Sequence, residues 1–366
     1  MRVAVSKQDF QKALVLLSKA TDKKSRLSFE WAKLTAEFDK HLTLQGTNGE
    51  VYLTLKAPVE VEAEGQVCVE ADVLLKAVKS IKKREWIELY TKEDRLVIKA
   101  GDLIQKLALK PVEDFPEFPN PNFQASLPDF VLNEAIGKVS FAVATEKEDA
   151  MKVLKCLYID GRGSFTNFVG SNGHKLALLK SDKYPLDIKA KLYIKSLKLL
   201  KELLKNAGQV QIGTDENFVH LSNGLWTISI KDFSDADYPD YEAVFPNQSD
   251  YDVVVVVFAE DLDNALANFV KHPKITIEFT DRDDGFRIKA QDEELGEAEV
   301  WVKADIYGIK QFSLDFIPKH IKDFTEEVGK GLIEARFKDD DGFPALFKAD
   351  GSYSYLVMPL IRKKKY

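Results

Sequence analysis

Three times along the chain, a short strand-like segment runs into an amphipathic helix with the same opening: an apolar residue, two polar residues, alanine, and a second apolar residue. Val3-Ala4-Val5 leads into Phe10-Gln11-Lys12-Ala13-Leu14, Ala125-Ser126-Leu127 into Leu132-Asn133-Glu134-Ala135-Ile136, and Val256-Val257-Phe258 into Leu262-Asp263-Asn264-Ala265-Leu266. Apolar positions at helical spacing place one stripe of each helix in a core. A second helix comes late in each copy, over 71–83, 195–207 and 318–328. Strand pairs follow it at 86–90 and 95–100, at 210–213 and 218–222, and at 332–337 and 345–349. Between the helices lie period-two segments such as Val51-Tyr52-Leu53-Thr54-Leu55, the mark of strands with one buried face. The order recurs at intervals of roughly 120 residues, and such a repeat decides architecture before any motif does.

Linkers fall where the repeat needs them. Phe115-Pro116-Glu117-Phe118-Pro119-Asn120-Pro121 is too rich in proline for a helix or a central strand, and the stretch from Tyr238-Pro239-Asp240-Tyr241 to Pro246-Asn247 plays the same part later. The expected fold class is α+β. Three copies of one domain, each with two helices on antiparallel strands, would span 1–121, 122–247 and 248–366.

Composition narrows the function. No run approaches the roughly 18 apolar residues of a membrane span, and the N-terminus lacks a signal-peptide pattern. Cys68 and Cys156 sit in apolar strand contexts and read as reduced thiols, so a cytoplasmic protein is expected. The formal net charge of −7 argues against a tight, general nucleic-acid binder. The lysines, however, cluster on helices. Lys12 and Lys19 lie opposite the apolar stripe of the first helix, and Lys23, Lys24 and Arg26 follow it. Lys76, Lys79 and Lys83 flank the next helix, and Lys198, Lys201 and Lys205 its counterpart in the second copy. The third copy offers only Lys271, Lys319 and Lys322, while acidic residues concentrate in turns and strands. A shared basic helix surface would contact phosphates weakly and without sequence preference.

Chemistry-bearing motifs are few. Ser171-Asn172-Gly173-His174-Lys175 lies between strand-like flanks, and Asn-Gly there reads as a hairpin turn in which both residues tolerate positive φ. His174 has no nucleophile or metal-ligand spacing around it, so a structural or binding role outweighs a catalytic one. Gly161-Arg162-Gly163 reads as a hairpin turn, because no helix follows it to bind phosphate. No metal site and no cofactor are expected. The C-terminus stays apolar through Leu356-Val357-Met358-Pro359-Leu360-Ile361 before the basic tail. Pro359 cannot donate to a strand ladder. An apolar segment there should cover or form a groove, and Met is the adaptable residue that suits one.

Together, Ser171-Asn172-Gly173-His174-Lys175-Leu176-Ala177, Asp114-Phe115-Pro116, Tyr238-Pro239-Asp240-Tyr241 through Val244-Phe245-Pro246, and Val357-Met358-Pro359-Leu360 resemble the bacterial DNA polymerase III beta subunit family, the sliding clamps. The resemblance covers the whole length. It implies a non-catalytic processivity factor: a head-to-tail homodimer forming a six-domain ring around duplex DNA, nucleoid-associated in the cytoplasm. The partners it implies are the polymerase III catalytic subunit, the clamp loader, and other polymerases and repair proteins. Their short apolar-aromatic motifs would dock between the second and third domains. Matched by position, that groove would use Leu154, Ser171, Gly173, His174, Lys175, Leu176, Pro239, Val244, Leu356, Val357, Met358, Pro359 and Leu360, and Lys24 matches a DNA-contacting loop. Where the family commonly has Thr-Asp-Gly-His-Arg, this chain has Ser171-Asn172-Gly173-His174-Lys175, and it carries a longer basic tail. The ring interface is expected at Leu107 and Leu109 of the alternating segment 106–110, against Phe269, Val270 and Lys271, with charge support from Glu297 and Glu299. Two other readings stay open: a peptide-binding scaffold that does not encircle DNA, and a hydrolase using His174.

Overall fold

The computed structural model describes residues 1–22, 28–232, 236–308 and 311–362. The first third runs β1 (Arg2–Ser6), α1 (Lys7–Leu17), β2 (Trp31–Glu37), β3 (His41–Thr47), β4 (Val51–Ala63), β5 (Gly65–Glu70), α2 (Ala71–Ser80), β6 (Trp86–Lys92), β7 (Arg95–Ala100) and β8 (Leu103–Ala108). The second runs β9 (Ala125–Pro128), α3 (Asp129–Ser140), β10 (Cys156–Gly161), β11 (Thr166–Ser171), β12 (Lys175–Ser181), β13 (Lys189–Tyr193), α4 (Ile194–Leu203), β14 (Gln209–Thr214), β15 (Phe218–Ser222) and β16 (Trp226–Lys231). The last comprises β17 (Val253–Phe258), α5 (Ala259–Ala267), β18 (Ile275–Phe279), β19 (Gly285–Asp292), β20 (Gly296–Lys303), β21 (Asp305–Tyr307), β22 (Phe312–Phe316), α6 (Pro318–Val328), β23 (Leu332–Phe337), β24 (Ala345–Ala349) and β25 (Tyr353–Val357). Strand, helix, strands, helix, three strands: the order repeats, and the fold is α+β.

Two helices stop earlier than their apolar periodicity predicts. The backbone turns extended at Ile81, where α2 ends. After α4, Asn206 and Gly208 take φ of +57° and +72°, which breaks the helical path. The predicted stripes are buried: Phe10, Leu14 and Leu17 in α1, Leu74 and Val78 in α2, Leu197 and Leu200 in α4. Cys68 and Cys156 are buried and form no disulfide.

Residues 1–130 and 195–232 form one compact unit, and 131–194 with 233–366 a second. In the first, among the described residues, a twelve-stranded antiparallel sheet includes the path β8-β7-β6-β1-β4-β16-β15-β14-β9. In the second, a nine-stranded sheet runs β13-β10-β11-β12-β25-β24-β23-β17-β21, beside a four-stranded sheet β20-β19-β18-β22. Both large sheets join strands from different thirds, β4 to β16 and β12 to β25. Pairing of this kind covers edges that would otherwise be exposed.

One device recurs at hairpin turns. At Asn48, Asn172 and Asn223, the Asn side-chain oxygen accepts backbone N–H bonds from two following residues. The glycine after each takes φ of +85° to +89°. The Asn-Gly signal thus marks a hairpin, but only glycine enters the left-handed region; Asn172 acts through its side chain. Ahead of the turn, Gly170 admits close approach, since a Cβ there would meet the Val139 carbonyl oxygen at 2.3 Å.

Candidate functional site

Antiparallel pairing of β12 with β25 sets Leu176 opposite Leu356, and β24 adds Leu346 opposite Leu356. These leucines pack with Tyr158, Val169 and Tyr241 in one buried cluster. Above it lies a groove of about 290 Å³. The hairpin turn supplies Ser171, Gly173, His174 and Lys175, a short helical turn supplies Leu154, and the chain end supplies Val357 and Met358. Pro239 and Val244 line it from the linker-like segment. The Met358 N–H donates to the His174 carbonyl (2.9 Å), carrying the β12–β25 ladder one residue beyond the strand.

Pro359 and Leu360, expected in the groove, do not line it. Pro359 has no N–H to continue the ladder. The Leu360 N–H instead donates to the Asp315 carbonyl (2.7 Å), and Leu360 borders a separate polar concavity with Arg362. The sequence reading missed Met151, Tyr238, Asp240, Tyr241 and Pro344, which do line the groove. Tyr238 and Tyr241 belong to a segment singled out as a linker; its aromatic content was the available signal. Met151 stands 60% exposed, and an exposed Met beside a predicted groove was a further clue.

The tyrosine wall is held from below. The Tyr241 hydroxyl donates to Asp160 (2.6 Å) and accepts from Asn167 (2.8 Å) and Arg162 (3.2 Å). Burial would raise the Asp160 carboxyl, but the hydrogen bonds from Tyr241 and Arg162 outweigh it and keep its pKa below the ordinary value. Tyr238 stacks on Tyr158 at 4.6 Å, and burial, with help from Asp160, pushes the Tyr158 phenol up to about 12. Burial raises the Tyr238 phenol likewise, so both phenols stay neutral, and the wall offers aromatic surface to an apolar ligand.

Lys175 lines the groove, and its ammonium lies toward α6. Nζ lies 3.8 Å from an Asp323 oxygen on α6 and over the Phe141 ring at 5.5 Å. Burial lowers its pKa, opposed by Asp323 and Glu148. Nearby His320 falls to about 4, through burial first and then the Lys175 charge. His174 is exposed, and among the described residues no hydroxyl or thiol bonds its ring. A Ser-His-Asp set does occur elsewhere: His220 contacts Ser229 (2.8 Å) and Asp215 (2.9 Å). It is a cross-strand tie, with His220 fully buried and Ser229 3% exposed, so no substrate reaches the hydroxyl. Among the described residues no cluster of three or more His, Cys, Asp and Glu side chains is placed to hold a metal ion, and no helix is long and apolar enough to cross a membrane.

The helix lysines differ in their pairing. Lys12 pairs with Asp9 (3.5 Å), Lys76 with Asp72 (2.7 Å), and Lys19 with Glu202. Lys79, Lys83, Lys198, Lys201 and Lys205 are exposed, and none has an ion pair among the described residues. In α6, Lys319 pairs with Asp323 and Lys322 with Asp263 and Glu326, so two of the third copy's three lysines are partnered as well. Lys24 and Arg26 lie outside the described residues. Of the expected interface residues, Leu107 is on β8, an edge strand, and Leu109 follows it. Val270 and Lys271 are exposed, but Phe269 is 1% exposed and belongs to the core. Glu297 and Glu299 stand on β20, the edge of the four-stranded sheet.

A groove with an apolar floor and a neutral aromatic wall is suited to an apolar ligand. Residues 1–119 match the family described as DNA polymerase III beta subunit, N-terminal domain. The chain is 25% identical to the beta sliding clamp of Pseudomonas aeruginosa, over 98% of this chain and all of that one. Its fold is shared with the solved P. aeruginosa beta subunit (TM-score 0.89, 24% identity, 98% of this chain and 100% of that one). It is shared also with a P. aeruginosa sliding clamp bound to griselimycin (TM-score 0.89, 24% identity, 99% and 100%) and with the Thermotoga maritima beta subunit (TM-score 0.86, 23% identity, 99% and 100%). Along its whole length the chain is thus similar to the DNA polymerase III beta subunits, the beta sliding clamps, which are non-catalytic processivity factors. The family binds DNA and polymerase partners.

Proposed function

We propose that two copies of this chain close head to tail, each contributing three domains (1–121, 122–247 and 248–366), into a ring around duplex DNA in the cytoplasm. The polymerase III catalytic subunit, the clamp loader and other polymerases or repair proteins dock by short apolar-aromatic motifs in the groove floored by Leu176 and Leu356. Exposed lysines on α2 and α4 contact phosphates without reading sequence. The observation that carries the docking reading is the groove itself: hairpin, linker and final strand meet there over apolar side chains. A P. aeruginosa clamp binds griselimycin, which supports a site for peptide-like ligands on this fold.

Ending the chain after Val357 tests this. β25 keeps both neighbours, β12 and β24, so dimer mass and melting temperature should change little. Binding of a labelled apolar-aromatic peptide, read by fluorescence polarisation, should fall by about 30-fold or more, since buried apolar anchors commonly contribute about 2 kcal/mol or more each. Unchanged binding in a folded truncated protein would place the partner site elsewhere.

A further inference from the structure

Past Met358 the chain has no ladder to follow, and chain ends fray unless tied down. Here the end is tied at four points. The Leu360 N–H donates to the Asp315 carbonyl (2.7 Å), and the Arg362 N–H to an Asp341 carboxylate oxygen (2.8 Å). The Arg362 guanidinium forks, giving one bond to Asp315 Oδ1 (2.9 Å) and one to the Ser313 hydroxyl (3.1 Å). Asp315 is 5% exposed and sits on β22, away from the groove's own strands.

Asp315 does not depend on Arg362 for its own satisfaction. Lys274 Nζ lies at 2.9 Å and the Thr276 hydroxyl at 2.7 Å. Removing Arg362 therefore leaves no buried charge unpaired, so stability alone gives little reason for the contact. What the Arg362 side chain adds is two further ties, beside the two backbone ones, at the far end of a segment whose near end is the groove wall. Met358 is held by its N–H to His174 at one end, and by the pinned residues 360–362 at the other. A wall made of the chain's last residues binds well only if it is ordered before the ligand arrives.

We propose that Arg362 is a positioning residue for the partner groove: its fork onto Asp315 and Ser313 latches the C-terminal segment and preorganises Met358. The proposal rests on the groove reading above. It also assigns a role to the chain beyond Pro359, where this sequence departs from the sliding-clamp family.

The full-length chain is compared with Arg362→Gln and Arg362→Lys. The probe is a fluorescein-labelled hexapeptide with two leucines and a terminal phenylalanine. Polarisation gives affinity, hydrogen exchange reports the Met358 amide, and thermal melting reports global stability. Arg362→Gln should bind about tenfold more weakly with an essentially unchanged melting temperature, and its Met358 amide should exchange faster. Arg362→Lys should recover part of the affinity, since an ammonium can reach Asp315 but cannot fork to Ser313 in the same way. Wild-type binding with Arg362→Gln equal in affinity, or equal in Met358 exchange, overturns the latch alone. A wild-type chain that does not bind the peptide overturns the groove reading and the latch with it.

Discussion

Gly170 and Gly173 stand three residues apart and are glycine for different reasons. Gly173 takes φ of +89° at the hairpin tip, where an added Cβ would have nothing within 4 Å, so alanine there meets only backbone strain, roughly 1–2 kcal/mol. At Gly170 a Cβ would lie 2.3 Å from the Val139 carbonyl oxygen and 2.9 Å from Val143. The end of α3 would have to move, at a cost of about 3 kcal/mol or more. Denaturant unfolding of Gly170→Ala and Gly173→Ala should show the first to be the more destabilised; the reverse order would mean that the packing of helix on hairpin does not fix this region. The turn was legible because Asn-Gly has few conformational uses. The clash at Gly170 was not, since it depends on a helix some thirty residues earlier in the chain. Phe269 makes the same point from the other side: an apolar residue beside exposed Val270 read as surface, and only packing sends its ring inward.

Among the elements, helices carry the charge pattern, but their neighbours decide which charges remain available. The sequence places Lys12, Lys19 and Lys76 on the same footing as Lys79 and Lys198, yet the first three have carboxylate partners. A partnered lysine must give up its carboxylate to meet a phosphate, although for exposed pairs the cost is small. Combined Lys79→Glu, Lys198→Glu, Lys201→Glu and Lys205→Glu should therefore weaken DNA retention more than combined reversal at Lys12, Lys19 and Lys76. If all four meet phosphate, the dependence of log affinity on log salt should flatten by about 3 to 4, near 0.9 for each phosphate no longer neutralised. Nitrocellulose or anisotropy titrations over a salt series measure this. An unchanged slope would remove these helices from the DNA surface. The helix stripes, and strand alternation where one face is buried, were legible because period 3.6 and period 2 are local properties; β10 and β11, buried at every position, show no such alternation. Helix ends were less so: Asn206 and Gly208 stop the path after α4 before the apolar pattern runs out.

For the assembled protein, the open sheet edges matter most. β8 has only β7 beside it among the described residues, and Leu103 and Ile104 on it are 43% and 53% exposed. An edge strand with exposed apolar side chains is a pairing surface that a solitary protein would be expected to blunt. Leu107→Asp with Leu109→Asp should give folded monomers by sedimentation equilibrium that slip from nicked circular DNA. A dimer that survives the pair would put the ring interface on another edge.

By itself the sequence determined the recurring order of elements, the six helices, the strand pairs that follow the second helix of each copy, the hairpin at Asn172-Gly173 and the apolar chain end, because each is written in short-range periodicity and turn chemistry. It also carried the family resemblance, and with it most of the groove's residues. Tertiary structure decided how those residues are used. Pairing of β12 with β25 joins segments far apart in the chain, and that register alone sets Leu176 beside Leu356. It also turns the Lys175 ammonium toward Asp323, brings Tyr238 and Tyr241 over the floor, and leads Leu360 and Arg362 away to Asp315. Local pattern fixes which face of a strand is apolar; only long-range pairing fixes what that face meets.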